Sequence, residues 1–233
     1  RVGRRRAFSF SFPFAPRAPE PSPRPPGIRA TAFLFFEGVV PFCGYRHLVP
    51  ISLRREQPAK LLRSYHVLAG SSYKVIIDSG GEGYSQYENI RINRWQTIRT
   101  RSPQGQFVYL RDMVNGHAWS ASAEPLPADE NAESRVLFGI DKAEFIRTEH
   151  GIMTNLEITV SPQEPYELRR LFISNQSKQE RTIEVTSYLE PVLTTAQSDR
   201  AHPAFNRLFV ETEYMPDRHL LISHRRTSGD EPE

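Results

Sequence analysis

The chain is poor in cysteine, in long apolar runs and in helical period, and each shortage removes a class of protein. Cys43 is the single cysteine among 233 residues, which excludes an internal disulfide framework and any cysteine-based zinc site. The longest apolar run, Ala32-Phe33-Leu34-Phe35-Phe36, stops at Glu37, far short of the roughly 20 residues of a membrane helix. Arg4-Arg5-Arg6 ahead of Phe8 has the look of a signal peptide, but Pro13, Pro16, Pro19 and Pro21 break up any apolar stretch, and no targeting is expected. No segment holds twelve residues of good helical period, no internal repeat is visible, and the seven histidines form no His-rich motif.

Acidic residues are scarce only at the start. Up to Tyr65, eleven Arg and one Lys face Glu20, Glu37 and Glu56, a net +9, whereas the remainder carries 18 basic and 24 acidic residues, a net −6. The overall +3 therefore describes no single folded unit. A basic chain suggests nucleic acid, but here the basic charge sits where folding is least expected, and no nucleic-acid role is expected of the body. Residues 1–65 read as an extended, largely disordered Arg/Pro-rich arm. Phe8-Ser9-Phe10-Ser11-Phe12 alternates like a strand, yet the prolines from Pro13 to Pro26 forbid a continued ladder. Ala32 to Val40 could form one buried strand, with nothing of matching period beside it. Three readings of the arm stay open: a flexible basic tail, a tail touching a membrane or RNA, or residues belonging to no natural fold.

From His66 the period-two pattern of strands takes over. Strands are expected at Ser72–Asp78, Gln106–Asp112, Arg135–Ile140, Ala143–Thr148, Ile152–Val160, Glu167–Ser174, Thr182–Leu189, Phe205–Glu213 and His219–His224. Gly151 precedes and Ser161-Pro162 closes the fifth, and Asn175-Gln176-Ser177-Lys178 is a polar hairpin loop. Turn signals every eight to twelve residues without helices between predict an all-β, antiparallel sandwich over 66–233, truncated at its C-terminal end.

One stretch carries most of the chemistry: Gly80-Gly81-Glu82-Gly83-Tyr84-Ser85, then Tyr87, then Asn93-Arg94-Trp95. Glycines reach backbone angles closed to other residues, making a tight turn or admitting a ligand. Aromatic faces and a guanidinium suit stacking on and hydrogen bonding to a sugar ring. The competing reading is a glycine hairpin whose aromatics fill the core. Asp199-Arg200-Ala201-His202-Pro203 is a second candidate loop, where a lone His202 is more often structural than functional. Arg111-Asp112 is expected as a local ion pair at a strand end, Arg169-Arg170 beside Glu167 as a solvated strand face, and Glu190, Glu211 and Glu213 as exposed.

The order Gly-Gly-Glu-Gly-Tyr-Ser, Asn-Arg-Trp, Phe-Val-Tyr-Leu-Arg-Asp, His-Ala-Trp-Ser, Ala-Glu-Phe, Leu-Glu-Ile-Thr-Val-Ser-Pro, Glu-Leu-Arg-Arg, Glu-Val-Thr-Ser-Tyr-Leu-Glu, Ala-His-Pro-Ala-Phe and Leu-Phe-Val-Glu-Thr-Glu, from about Tyr65 to Glu233, resembles one family. It is similar to the amino-terminal β-supersandwich (galactose-mutarotase-like) of glycoside hydrolase family 94, above all the phosphorylase-like module of cyclic β-1,2-glucan synthases. There are departures. Glu82 and Tyr87 stand where the family loop has Gly and Trp, Asn93 where it has Thr, and Thr97 to Gly105 replaces an acidic Trp-Gly segment. The loop is accordingly expected to serve less well.

The resemblance implies a division of labour. A downstream (α/α)6 barrel carries the general acid, and inorganic phosphate, as co-substrate, attacks the anomeric carbon with inversion. One carboxyl group then suffices where an inverting hydrolase needs two. It further implies a β-glucan or oligosaccharide partner, a homodimer, a cytoplasmic module whose parent synthase is attached to the inner membrane, and no cofactor or metal. Tyr84, Ser85, Arg94, Trp95 and His202 are the substrate-binding candidates, with no catalytic residue. Two rivals are a stand-alone mutarotase-type enzyme, which needs a His acid and a carboxylate base, and a binder of nucleic acid or membrane through the arm. Incubated with β-glucan and phosphate, this chain alone is expected to release no glucose 1-phosphate; release in a phosphorolysis assay contradicts the reading.

Overall fold

The structure is a computed structural model that describes residues 30–31, 33–35, 63–96 and 103–226. Cys43, the proline run and most of the expected arm lie outside the described residues, as do the first residues of the Thr97 to Gly105 replacement. Two short strands fall within the segment read as an arm: β1 (Ala30–Thr31) and β2 (Phe33–Phe35).

The rest follows the alternation. In order come β3 (Tyr65–Ala69), β4 (Tyr73–Asp78), β5 (Gly83–Tyr87), β6 (Ile90–Asn93), β7 (Phe107–Asp112), β8 (Ala118–Ser120), β9 (Glu133–Phe138) and β10 (Lys142–Glu149). Then follow β11 (Ile152–Val160), β12 (Glu167–Asn175), β13 (Ile183–Tyr188), β14 (Pro191–Thr195), two short helices α1 (Ala196–Ala201) and α2 (Pro203–Asn206), β15 (Val210–Met215) and β16 (Leu220–Arg225). One five-stranded sheet runs β14-β6-β5-β4-β3 and another β2-β12-β11-β10-β9, with three-stranded sheets β13-β7-β8 and β1-β16-β15. Among the described residues every pairing is antiparallel except β2 with β12, which is parallel. This is the all-β antiparallel sandwich expected from the alternation, in keeping with the supersandwich that the resemblance implies.

In β11, Ile152, Thr154, Leu156 and Ile158 are buried while their neighbours are half-buried, so one face of the strand is fixed toward the core. That face meets Val75 and Ile77 of β4, Leu68 of β3, Leu110 of β7, Trp119 of β8 and Phe145 of β10 in one hydrophobic cluster. Burying each such aliphatic or aromatic side chain stabilises by about 1.5–3 kcal/mol, and this cluster is what holds the sheets face to face.

Several local expectations change for physical reasons. Arg111 and Asp112 do not pair, because neighbours in a strand point to opposite faces. Arg111 is exposed, while buried Asp112 accepts from Arg181 Nε at 2.7 Å and from the Val114 N–H at 2.8 Å. Burial pushes the Asp112 carboxyl up, and these donors outweigh it, leaving it below the usual carboxylate range. Glu167 and Arg169, two apart, share a face, and that face is the interior: both are buried and joined at 2.9 Å, so the strand face is not solvated there. The strand expected at Phe205–Glu213 begins only at Val210. Pro203 opens α2, its fixed φ suiting a first helical turn, and a 3-10 turn, Arg207–Phe209, follows.

The core assignment is tested by Phe145→Ala, which is expected to cost about 3–5 kcal/mol in urea unfolding. A cost below about 1 kcal/mol would place Phe145 outside the well-packed core.

Candidate functional site

The glycines of the β4–β5 turn shape everything behind them. Gly81 has φ +94, and a Cβ on it would lie 2.5 Å from the Ser122 side chain; one on Gly83 would lie 2.0 Å from the Ile76 carbonyl oxygen. These two glycines therefore permit a tight β4–β5 turn pressed against its neighbours. Asp78 receives the Gly80 and Glu82 N–H groups at 2.8 and 2.9 Å, and Arg63 binds Asp78, Glu82 and Glu124. Burial pushes the Asp78 carboxyl above its usual range, against the pull of Arg63 and the turn amides. Glu82, where the family pattern has glycine, also accepts the Gln104 N–H at 3.0 Å. The turn is a pinned structural element.

Alternation along β5 then divides the candidates. Ser85 is fully buried, donating to Glu167 on the opposite sheet at 2.6 Å and accepting from Gln106 at 3.0 Å. Tyr73 is buried on the same strand pair, and its burial pushes the phenol well up. Tyr87 packs on the core. Tyr84 faces the other way, half-buried, with its ring 5.4 Å from that of Trp95; Tyr65 meets Trp95 edge-on at 6.4 Å. Arg91 of β6 lies over the Tyr84 ring at 3.7 Å and donates to the Trp95 carbonyl at 2.9 Å. Burial and the nearby Arg200 hold the Arg91 pKa below its ordinary value, offset in part by Tyr84 and Asp199. The outward face thus presents two aromatic rings, an edge-on third and a guanidinium.

Arg94 fixes this face from beneath. It is 4 % exposed, and its guanidinium donates to Asp199 at 2.6, 3.1 and 3.2 Å, to Glu190 at 3.3 Å and to the Pro203 carbonyl at 3.2 Å. Glu190, expected as exposed, is half-buried for this reason and also binds Arg207 at 3.1 Å. Glu211 and Glu213 are exposed, Glu211 meeting His224 and Arg226. His202 is exposed at the junction of α1 and α2, where its backbone bonds Ser198 and Asn206. Arg91, Tyr65, Glu190 and Asp199 complete the site that Tyr84 and Trp95 announced; the Ile90-Arg91-Ile92 alternation was the available signal for Arg91.

A second constellation was not foreseen. His117 Nε2 lies 2.8 Å from Glu149 Oε1 and His150 Nε2 lies 2.7 Å from Asp129 Oδ2, the two imidazoles 4.2 Å apart. The histidines and carboxylates that a sugar-epimerising enzyme needs do converge here, but they hydrogen-bond one another. A shallow depression of about 220 Å³ on β7, β8 and β13, bordered by Tyr109, Arg111 and Thr186, includes none of these groups.

Residues 50–233 match the family described as glycosyl hydrolase 94, supersandwich domain, a match that starts ahead of the expected boundary near residue 66. The chain is 35 % identical over 182 residues to the cyclic beta-(1,2)-glucan synthase NdvB of Rhizobium meliloti (strain 1021), covering 76 % of this chain and 6 % of that protein. It is 29 % identical to the N,N'-diacetylchitobiose phosphorylase of Vibrio proteolyticus over 64 % of this chain, and 28 % identical to that of Vibrio furnissii over 63 %. The alignment spans 19 % of each phosphorylase, so this chain corresponds to a small part of all three relatives.

Removing one partner of the buried pair tests the support beneath the face. Arg94→Met leaves the Asp199 carboxylate buried and unpaired, with an expected loss of about 3–5 kcal/mol in urea unfolding. A loss near the ~0–1 kcal/mol of an exposed pair would contradict it.

Proposed function

The chain belongs to the glycosyl hydrolase 94 supersandwich family, and from that premise we propose that it is the non-catalytic, sugar-facing module of a glycoside phosphorylase or cyclic β-1,2-glucan synthase. In this reading a downstream (α/α)6 barrel supplies the general acid and receives inorganic phosphate, and the sandwich shapes the rim of the sugar site. The homodimer and the cytoplasmic placement beneath an inner-membrane synthase belong to the same proposal.

The observation that carries it is the outward Tyr84–Trp95 pair with the Arg91 guanidinium stacked on it. Pyranose rings offer apolar C–H faces and equatorial hydroxyls; aromatic rings take the former and a fixed guanidinium fork the latter. Exposed aromatics without support would lose binding energy to ordering, about 0.5–1.5 kcal/mol per side chain. Here the ordering is already present, because Arg94 and Asp199 hold the end of β6 rigid. Ser85 and Arg94 serve as positioning residues behind the face, Tyr84 and Trp95 as the contacts, and His202 as an exposed flank on α1–α2.

Intrinsic fluorescence tests this well, since Trp119 is buried in the core and Trp95 is half-buried on the face. Titration with a β-1,2-linked gluco-oligosaccharide, and separately with N,N'-diacetylchitobiose, is expected to perturb Trp95 emission with at least one of the two. Tyr84→Ala and Arg91→Ala are each expected to weaken that binding about 10-fold, in line with ~1–3 kcal/mol for a stacking or charged contact. Circular dichroism should stay unchanged. Equal affinity in both variants would overturn the assignment of this face.

A further inference from the structure

We propose that His117, Asp129, Glu149 and His150 form a binding site for a divalent transition-metal ion of the zinc type. The inference stands independently of the sugar-facing reading, because no residue is shared between the two sites. The four groups offer two imidazole nitrogens and two carboxylate oxygens, all within 4.8 Å of one another. That is a mixed nitrogen and oxygen set of four, the number zinc takes, and imidazole donors select zinc-type ions over calcium or magnesium.

The fold brings them together from three separate segments. His117 lies just ahead of β8, Asp129 in the loop between β8 and β9, and Glu149 and His150 at the β10–β11 turn. Neighbouring strand residues would normally face opposite ways. At this turn, however, His150 has φ +48 and Gly151 φ +76, both central residues left-handed as in a type I′ hairpin. The turn thereby lets Glu149 and His150 serve one cluster.

The surroundings orient the donors. Arg147 Nε donates to Glu149 Oε2 at 2.7 Å, which occupies one oxygen and leaves Oε1 toward His117. The same guanidinium donates to the carbonyls of Ser120, Ser122, Leu126 and Pro127 at 2.9–3.2 Å, fixing the start of the loop that carries Asp129. Trp119 stacks on the His117 ring at 5.6 Å. Such outer contacts set the orientation of metal ligands. Glu149 is buried while the side chains of His117, His150 and Asp129 are 29 %, 43 % and 54 % exposed, so an ion can enter from solvent.

The distances allow it with small movements. Tetrahedral ligands at zinc bond lengths stand about 3.3 Å apart. The two hydrogen-bonded pairs, now 2.8 and 2.7 Å, open by roughly half an ångström, and the wider separations close. Binding replaces the hydrogen bond within each histidine–carboxylate pair by two bonds to the ion.

The test uses the whole chain stripped with a chelator and titrated calorimetrically with zinc chloride and, separately, calcium chloride. One zinc ion per chain is expected, with a raised Tm, and no response to calcium at equal concentration. Asp129→Asn and His150→Asn keep a polar group at each position, and asparagine tolerates the left-handed backbone at 150. Each is expected to weaken zinc binding at least 10-fold with circular dichroism unchanged. Absence of zinc binding, calcium bound in preference, or zinc bound by both variants as tightly as by the unaltered chain would each overturn the site.

Discussion

Burying a guanidinium is costly unless acceptors surround it, and Arg94 shows what the chain arranges to provide them. Its side chain is 3 % exposed and that of its principal partner Asp199 5 %, at an N–O distance of 2.6 Å. At the surface such a pair contributes about 0–1 kcal/mol and tolerates loss; in the interior, losing one member strands a charge. The end of β6, helix α1 and the Glu190 side chain are therefore bound into one unit. Trp95 follows Arg94 directly in the chain, and Arg91 reaches back from the same strand to its carbonyl. The rigidity of the aromatic face thus comes from the charge beneath it.

The same solution recurs twice. Arg147 is 1 % exposed and donates to four carbonyls, those of Ser120 at the end of β8 and of Ser122, Leu126 and Pro127 in the segment after it. Arg169 joins Glu167 and the Gln106 carbonyl, while Ser85 ties Glu167 to the opposite sheet. Apolar contacts hold the layers of this sandwich together, and buried guanidiniums fix where its loops lie. A module built in this way offers fixed rims at its sheet ends.

Sequence reading reached far where the period was strict. Ile152–Val160 was legible to the residue, because Leu156 to Val160 alternate apolar and polar and Gly151 and Ser161-Pro162 bound the run. It failed where the period is hidden. Tyr65–Ala69 is an edge strand with Tyr65 and Val67 about half exposed, so little pattern marks it. Pro191–Thr195 begins with proline, carries Leu193 at φ +47 and shifts register, erasing any alternation. Within the site, Tyr84 and Trp95 were recognisable as aromatics behind a glycine turn. The burial of Ser85 was not, because its partner Glu167 lies 82 residues away. The ion pair of Arg94 with Asp199 crosses 105 residues. The histidine cluster gathers four residues from three segments, and no spacing rule reveals it.

The most direct measurement of the account is amide hydrogen exchange of the whole chain with and without a saturating β-1,2-linked gluco-oligosaccharide. The account predicts added protection confined to β5, β6, the Arg94–Gln96 end and α1, with the β10–β11 turn unchanged. Protection concentrated instead on the groove of β7, β8 and β13, with the Tyr84–Trp95 face exchanging as before, would contradict it.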